Sequence, residues 1–260
     1  MKLTFYKYHG TGNDFVIIDN REHLFPDSSE LIKRLCDRRF GIGADGLMTL
    51  TKVVDYPFAM RYYNSDGNES SMCGNGGRCI VAFANKLGLI KDGADFLAID
   101  GPHEAYMPTA DYVKLRMQDV ERIHNYGEDF FVDTGSPHYV RFMEEIDNMD
   151  VRAEGKSVRN SKKFENEGTN VNFVRILANG EIKMRTYERG VEDETWSCGT
   201  GTVASAIITA YKFQPDINSF SVTAPGGHLK VNFERKGPEE FKNIWLEGPA
   251  TFVYQGIIEI

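Results

Sequence analysis

The sequence predicts an α+β fold made of two related halves, and three observations predict it. Short strand-like segments dominate, two of the few helical segments are apolar and rich in small residues, and one ordered set of motifs occurs twice. The strands come first in the chain. Leu3–Tyr8, Phe15–Asp19, Leu47–Thr51, Phe58–Tyr63, Phe96–Ile99, Val113–Met117 and Phe130–Asp133 are runs of apolar, β-branched and aromatic residues bounded by Gly, Asn and Asp. Val171–Leu177 and Ile182–Tyr187 flank Asn179-Gly180, a strong hairpin signal. Phe220–Ala224, His228–Phe233, Ile244–Leu246 and Thr251–Tyr254 complete the set. Among the helices, Ser28-Ser29-Glu30 followed by Leu31, Ile32 and Leu35 reads as a capped amphipathic helix with a basic outer face. Two more start in glycine-rich turns, at about 75–87 and about 200–212, and their composition predicts burial at the centre of each half.

The repeat supplies the domain organisation. Gly12, Arg61-Tyr62-Tyr63-Asn64 and Cys73-Gly74-Asn75-Gly76 are matched by Gly135, Arg185-Thr186-Tyr187-Glu188 and Cys198-Gly199-Thr200-Gly201. Gly12 precedes Cys73 by 61 positions and Gly135 precedes Cys198 by 63. The expected division is a first half over 1–117, to which a last strand at about 249–260 can return, and a second half over 118–248.

Composition narrows the function. With 30 Lys+Arg against 38 Asp+Glu, the formal charge of -8 argues against nucleic-acid or membrane-surface partners, which need a basic face. There is no apolar run of about 18 residues to span a membrane. The opening MKLTFYKYHG is too polar for a signal peptide. Four cysteines are too few for a disulfide scaffold, so the expected compartment is the reducing cytoplasm.

The chemistry centres on two of those cysteines. Cys73 and Cys198 each precede Gly-x-Gly at a helix start. Such an end offers backbone N–H groups and a partial positive charge to a carboxylate. It also favours the thiolate of a nearby cysteine. Two ends of this kind, facing one another across a cleft, would set one sulfur on either side of a carbon beside a bound carboxylate. That is a two-base racemase or epimerase. The sequence shows no phosphate-and-lysine signature for pyridoxal phosphate, so the expectation is a reaction without cofactor, its carbanion stabilised by fixed donors. Cys73 and Cys79 lack metal-ligand spacing, and no metal is expected.

The segments HGTGNDFVIID, GIGADGL, NSDGNESSMCGNGGRC, YERGVEDETWSCGTGT and APGG resemble the diaminopimelate epimerase family, in order and over almost the whole chain. The resemblance implies two similar domains, each a barrel-like, mostly antiparallel sheet around a central helix. It implies a homodimer that interconverts LL- and meso-2,6-diaminopimelate, a small diamino-diacid, in lysine and peptidoglycan precursor synthesis. By motif position, Cys73 and Cys198 would be the catalytic pair. Gly74, Asn75, Gly199 and Thr200 would hold the reacting carboxylate. Asn13, Asn64, Asn170 and Arg189 would hold and orient the distal end, where an Arg fork suits a second carboxylate. His138 and Glu188 would tune the cysteine protonation states, Glu188 also lying against substrate, with His exchanging a proton near neutral pH. Three positions depart from the family pattern: Ser136 stands where many members have Asn, Gly46 where some have a ligand-contacting Gln, and one extra residue separates Glu188 from Cys198.

Plainer readings stand beside these. Cys36 and Cys79 read as buried small hydrophobes. Arg189 alone could be an ordinary ion-pairing arginine, the three Asn residues turn or cap residues, His138 a core histidine after a turn-fixing Pro137, and Glu188 a strand-end ion pair. The competing functions are a proline or hydroxyproline racemase, a catalytically dead ligand-binding protein, and a redox switch closing a Cys73–Cys198 disulfide.

Overall fold

The computed structural model describes Met1–Ile260 and divides into two compact units, Met1–Leu115 with Gly248–Ile260, and Arg116–Glu247. Chain order is β1 (Lys2–Gly10), β2 (Asn13–Asp19), α1 (Ser29–Cys36), β3 (Gly46–Thr51), β4 (Ala59–Asn64), β5 (Glu69–Ser70), α2 (Gly74–Lys86), β6 (Gly93–Ala98), β7 (Gly101–Thr109) and β8 (Tyr112–Arg116). It continues with β9 (His124–Tyr126), β10 (Asp129–Asp133), β11 (Pro137–Phe142), α3 (Val151–Arg159), β12 (Asn170–Ala178), β13 (Glu181–Glu188), β14 (Asp193–Thr195), α4 (Gly199–Lys212), β15 (Ser219–Ala224), β16 (Gly227–Arg235), β17 (Phe241–Pro249) and β18 (Thr251–Glu259).

In the first unit, β1 and β2 form a hairpin whose two loop residues, Thr11 and Gly12, have φ of 50° and 85°. Positive φ at both positions matches the right-handed twist of the strands. β18 runs antiparallel to β1, pairing Leu3 with Ile258. β2 pairs parallel with β3, and β3 antiparallel with β4. Phe15 to Ile18 of β2 are all buried, so both faces of that strand are covered. One face carries Val16 and Ile18 against Ile32 and Leu35 of α1. α2 is buried from Gly74 through Ala84 and lies against β1, β2 and β3.

The second unit repeats this plan. β11 pairs parallel with β12, and β12 antiparallel with β13, as β2, β3 and β4 do. α3 packs Val151 with Val171, Phe173 and Tyr187 on one face of the sheet. α4 is buried from Gly201 through Ala210, as is Gly199. Its buried hydroxyls turn inward: Thr202, Ser205 and Thr209 donate to the carbonyls four residues back, at 2.8, 2.8 and 2.7 Å. A polar side chain is thereby admitted to a core helix without an orphan donor.

The sheets are mostly antiparallel, as expected, with parallel pairs such as β2–β3 and β11–β12, and several elements lie where the sequence signals were weak. β7 carries Pro102 and Pro108, which mask its strand character. Pro137 does not fix a turn before His138; it is the first residue of β11. α3 buries only Val151 and Gly155, so it has almost no apolar stripe to read. Gly155 is required there: a Cβ would lie 2.3 Å from Cβ of Tyr187. The Asn179-Gly180 hairpin forms, but only Gly180 has positive φ (72°), and a register shift between Ile176 and Ala178 takes up the difference.

Candidate active site

Cys73 is the N-cap of α2 and Cys198 the N-cap of α4, and neither side chain makes the capping hydrogen bond. Ser, Thr, Asp or Asn at such a position is worth about 1 kcal/mol to a helix, so cysteine here sacrifices stability, which points to a chemical use. In each helix the first backbone bond returns to the cysteine carbonyl, from Gly77 N at 2.7 Å and from Thr202 N at 2.9 Å. The N–H groups of the turns 74–76 and 199–201 therefore project from the helix end, where an anion is favoured.

At the first helix start, the Cys73 thiol donates to Asn13 Oδ1 at 3.7 Å, and Asn75 Nδ2 donates to the same oxygen at 3.2 Å. Asn13 Nδ2 donates to Asp45 Oδ2 at 2.8 Å. Behind these lies Arg78, fully buried, with Nη2 on Asn75 Oδ1 at 2.9 Å and Nη1 on the Gly74 carbonyl at 3.2 Å. Burial depresses the Arg78 pKa, against the pull of nearby Cys79 and Cys73. The neighbouring Asp14 bonds Lys7 at 2.7 Å and Arg38 at 2.6 Å. Burial raises its carboxyl pKa, but the hydrogen bonds and charges of Arg38 and Lys7 outweigh that and hold it at about 2. Asn64 ends β4 and is exposed.

At the second helix start, the Cys198 sulfur lies 3.6 Å from Thr200 Oγ1, and that hydroxyl lies 2.8 Å from His138 Nε2. His138 Nδ1 is 2.9 Å from Asn172 Nδ2. The amide of Asn172 is fixed, since its nitrogen also donates to the Tyr139 carbonyl and its oxygen accepts from Thr186. His138 Nδ1 is therefore an acceptor and Nε2 carries the proton. Gly201 makes room for this cluster, because a Cβ there would sit 2.5 Å from Asn172 Oδ1. Thr134 anchors the turn by donating to the Thr200 carbonyl at 2.9 Å.

His138 does not fit the proton-exchanging role expected of it. It is fully buried, and burial, reinforced by the Arg189 charge, pushes its pKa down to about 3, so the ring is neutral near pH 7. Its contribution is a fixed N–H donor. Asn170 is held by three bonds: its oxygen accepts from Arg189 N at 2.9 Å, and its nitrogen donates to Ser136 Oγ at 2.9 Å and to the Pro137 carbonyl at 3.0 Å. The departure at Ser136 is thus absorbed by a bond to Asn170. Arg189 is exposed and donates to the Glu167 carbonyl, while Glu188 accepts from Thr195 at 3.0 Å.

Arg78, Asp45, Asn172 and Thr186 complete these networks and were not singled out by their sequence context. Arg78 had a readable signal, a charge in the first turns of an otherwise small and apolar helix. Asn172 had one too, a polar residue between Val171 and Phe173 in a strand buried on both faces. The Gly46 departure has a structural partner: a Cβ at position 46 would lie 2.5 Å from the Tyr62 ring and 3.0 Å from its hydroxyl. The Tyr62 ring fills the space that a side chain at 46 would enter.

The model of the family described as diaminopimelate epimerase matches residues 5–103 and 130–253. The chain belongs to the diaminopimelate epimerase family. It is 49% identical over 259 residues to the diaminopimelate epimerase of Flavobacterium psychrophilum, covering 99% of this chain and 100% of that one. It is 41% identical to that of Chlorobaculum tepidum, covering 96% and 99%. Among solved structures, a phenazine biosynthesis protein of the PhzF family from Bacillus anthracis aligns over all of both chains, with TM-score 0.76 and 12% identity. A probable proline racemase from Agrobacterium radiobacter covers 99% and 92%, with TM-score 0.68 and 14% identity. At these identities the likeness establishes a shared α+β fold. Diaminopimelate epimerase relatives thus share sequence over the full length, and proline racemases share architecture. No helix is long and apolar enough to cross a membrane.

Proposed function

We propose that this protein epimerises LL- and meso-2,6-diaminopimelate by a two-base reaction between Cys73 and Cys198, without a cofactor. The observation that carries the reading is the pair of helix N-caps given to cysteine, each sulfur held by a polar network instead of capping its helix. In this reading one thiolate takes the α-proton: the C–H bond breaks, an S–H bond forms, and the electron pair stays on the carbanion. The other thiol then delivers its proton to the opposite face and is left as the thiolate. The substrate carboxylate rests on the N–H groups of Gly74-Asn75 and Gly199-Thr200. Removing one such donor costs about 3–4 kcal/mol in comparable oxyanion sites. Asn13, Asn64, Asn170, Glu188 and Arg189 hold the rest of the substrate, and His138 acts through its neutral N–H. A cytoplasmic homodimer is part of this reading. The low cysteine count supports the reducing compartment, and the exposed Val253, Tyr254 and Ile257 of β18 support the dimer.

Proton NMR of LL-diaminopimelate with the reduced protein in D₂O tests the reading. Loss of the α-proton signal with growth of the meso isomer is expected; proline turned over in preference to diaminopimelate would overturn the substrate.

A further inference from the structure

The hydrogen bonds at the two helix starts run in opposite directions relative to sulfur. At Cys198 the chain begins at Thr186, whose hydroxyl and the Tyr139 carbonyl fix the Asn172 amide. Asn172 donates to His138 Nδ1, which leaves the imidazole proton on Nε2, 2.8 Å from Thr200 Oγ1. Accepting the hydrogen bond from that N–H, the Thr200 hydroxyl is left to donate its own O–H, and the Cys198 sulfur lies 3.6 Å away as the acceptor. Donors to sulfur stabilise a thiolate.

At Cys73 the polarity is reversed. Arg78 can only donate, so the Asn75 oxygen faces it at 2.9 Å and the Asn75 nitrogen faces Asn13. Asp45, paired with Arg38 at 2.7 Å, accepts through its carboxylate, so the Asn13 nitrogen faces it at 2.8 Å. Neither amide can flip without setting donor against donor or acceptor against acceptor. Asn13 Oδ1 is thereby aimed as an acceptor at the Cys73 sulfur, which lies 3.7 Å away. An acceptor facing sulfur stabilises the protonated thiol and opposes the thiolate.

We propose that these two chains set the resting protonation of the unliganded protein, with Cys198 held as the thiolate and Cys73 as the thiol, and that Asn172 and Arg78 are positioning residues that fix the direction of each chain. The charged and titratable groups around each thiol act in both senses: the Asp45 and Asp14 carboxylates favour the Cys73 thiol, the Arg78 charge favours its thiolate, and the direction of the hydrogen bonds is what separates the two ends. Cys198 has the neutral His138 with Arg189 acting on it, and Glu188 bonded to Thr195 in the same unit. Around Cys73 are the Asp45 and Asp14 carboxylates, bonded to Arg38 and Lys7, and the buried Arg78. The inference rests on the proposed reading only for which cysteine takes a proton first. Its test uses no substrate.

The test is the thiolate ultraviolet absorbance of the reduced protein near neutral pH, titrated in single variants. The remaining thiols are silent, since burial pushes both Cys36 and Cys79 up to about 12. Cys73→Ala is expected to keep the thiolate signal and Cys198→Ala to lose it. Thr200→Val should lower the thiolate population about tenfold or more, the loss of a hydrogen bond to a charged group. Thr200→Ser, which keeps the hydroxyl, should restore it. Asn172→Leu should lower the same signal with the far-ultraviolet circular dichroism retained, and Asn13→Leu, which removes the acceptor facing sulfur, should raise the Cys73 thiolate signal in the Cys198→Ala background. A signal that disappears with Cys73→Ala and survives Cys198→Ala overturns the proposal, as does a Thr200→Val protein with an unchanged titration. Expected titrations without epimerisation would instead defeat the functional reading and leave this inference standing.

Discussion

The starts of α2 and α4 have the same backbone design and opposite side-chain wiring. Each helix opens at a cysteine N-cap followed by Gly-x-Gly, is buried through most of its length, and returns its first backbone bond to the cysteine carbonyl. Beneath α2 lies a buried guanidinium, and beneath α4 a buried neutral imidazole. The difference teaches that duplication of a fold fixes where a reactive group sits, while a few polar residues below it fix its charge. A one-proton exchange between two chemically identical thiols needs such an asymmetry, since each turnover starts with one acid and one base.

Removing either sulfur breaks the comparison outright. Cys73→Ala and Cys198→Ala should each lower epimerisation by at least about 10²–10⁴-fold, the usual contribution of a general acid or base. Steady-state assays with LL- and meso-diaminopimelate would check this, and full activity in either variant would refute the two-base reading. Gly201→Ala attacks the α4 network sterically, its Cβ meeting Asn172 Oδ1 at 2.5 Å. A loss of about 1–3 kcal/mol in denaturant unfolding is expected, with lowered turnover. Arg78→Met strips the donors from Asn75 Oδ1 and the Gly74 carbonyl. Its expected destabilisation is about 1–3 kcal/mol, the cost of leaving a buried acceptor unpaired.

Acid should separate the two ends by sign and window. His138 has a folded pKa of about 3 against an ordinary 6.5, so its neutral form is what the fold accepts. Its contribution is fully present above about 6.5 and is lost progressively as pH falls toward 3. Asp14 is also depressed, from 3.8 to about 2, so its share persists to lower pH and is lost between those values. Urea unfolding across this range should show a decline beginning near 6.5 that is flattened in His138→Gln, and a later one removed in Asp14→Asn. Tyr62→Phe is the mildest change. It keeps the ring that fills the space beside Gly46, so stability in urea unfolding should stay within about 0.5 kcal/mol.

The repeat of motifs and the buried character of α2 and α4 were legible because small and apolar residues surround the Gly-x-Gly turns. The cysteine pair was legible for the same reason, since a helix start next to glycines is a local feature. α3 was hidden because it buries little beyond Val151 and a glycine that rests on Tyr187. β7 was hidden by its prolines. The state of His138 was not legible at all: its ordinary pKa suggests a proton exchanger, and only complete burial makes it a neutral donor. Asn172 acts through His138 and is fixed by Thr186 and Tyr139, and Asn13 reaches Cys73 across 60 positions, none of which sequence spacing connects to a thiol.

The most direct test of the opposed wiring is the nitrogen NMR of the His138 ring in the unliganded, reduced protein. A neutral imidazole with its proton on Nε2 and a bare Nδ1, unchanged as pH is lowered from neutrality toward about 5, is the result predicted by its pKa of about 3. A proton on Nδ1, or a ring that charges near its ordinary pKa, would contradict the account, because the Thr200 hydroxyl would then have no fixed reason to direct its hydrogen bond at Cys198.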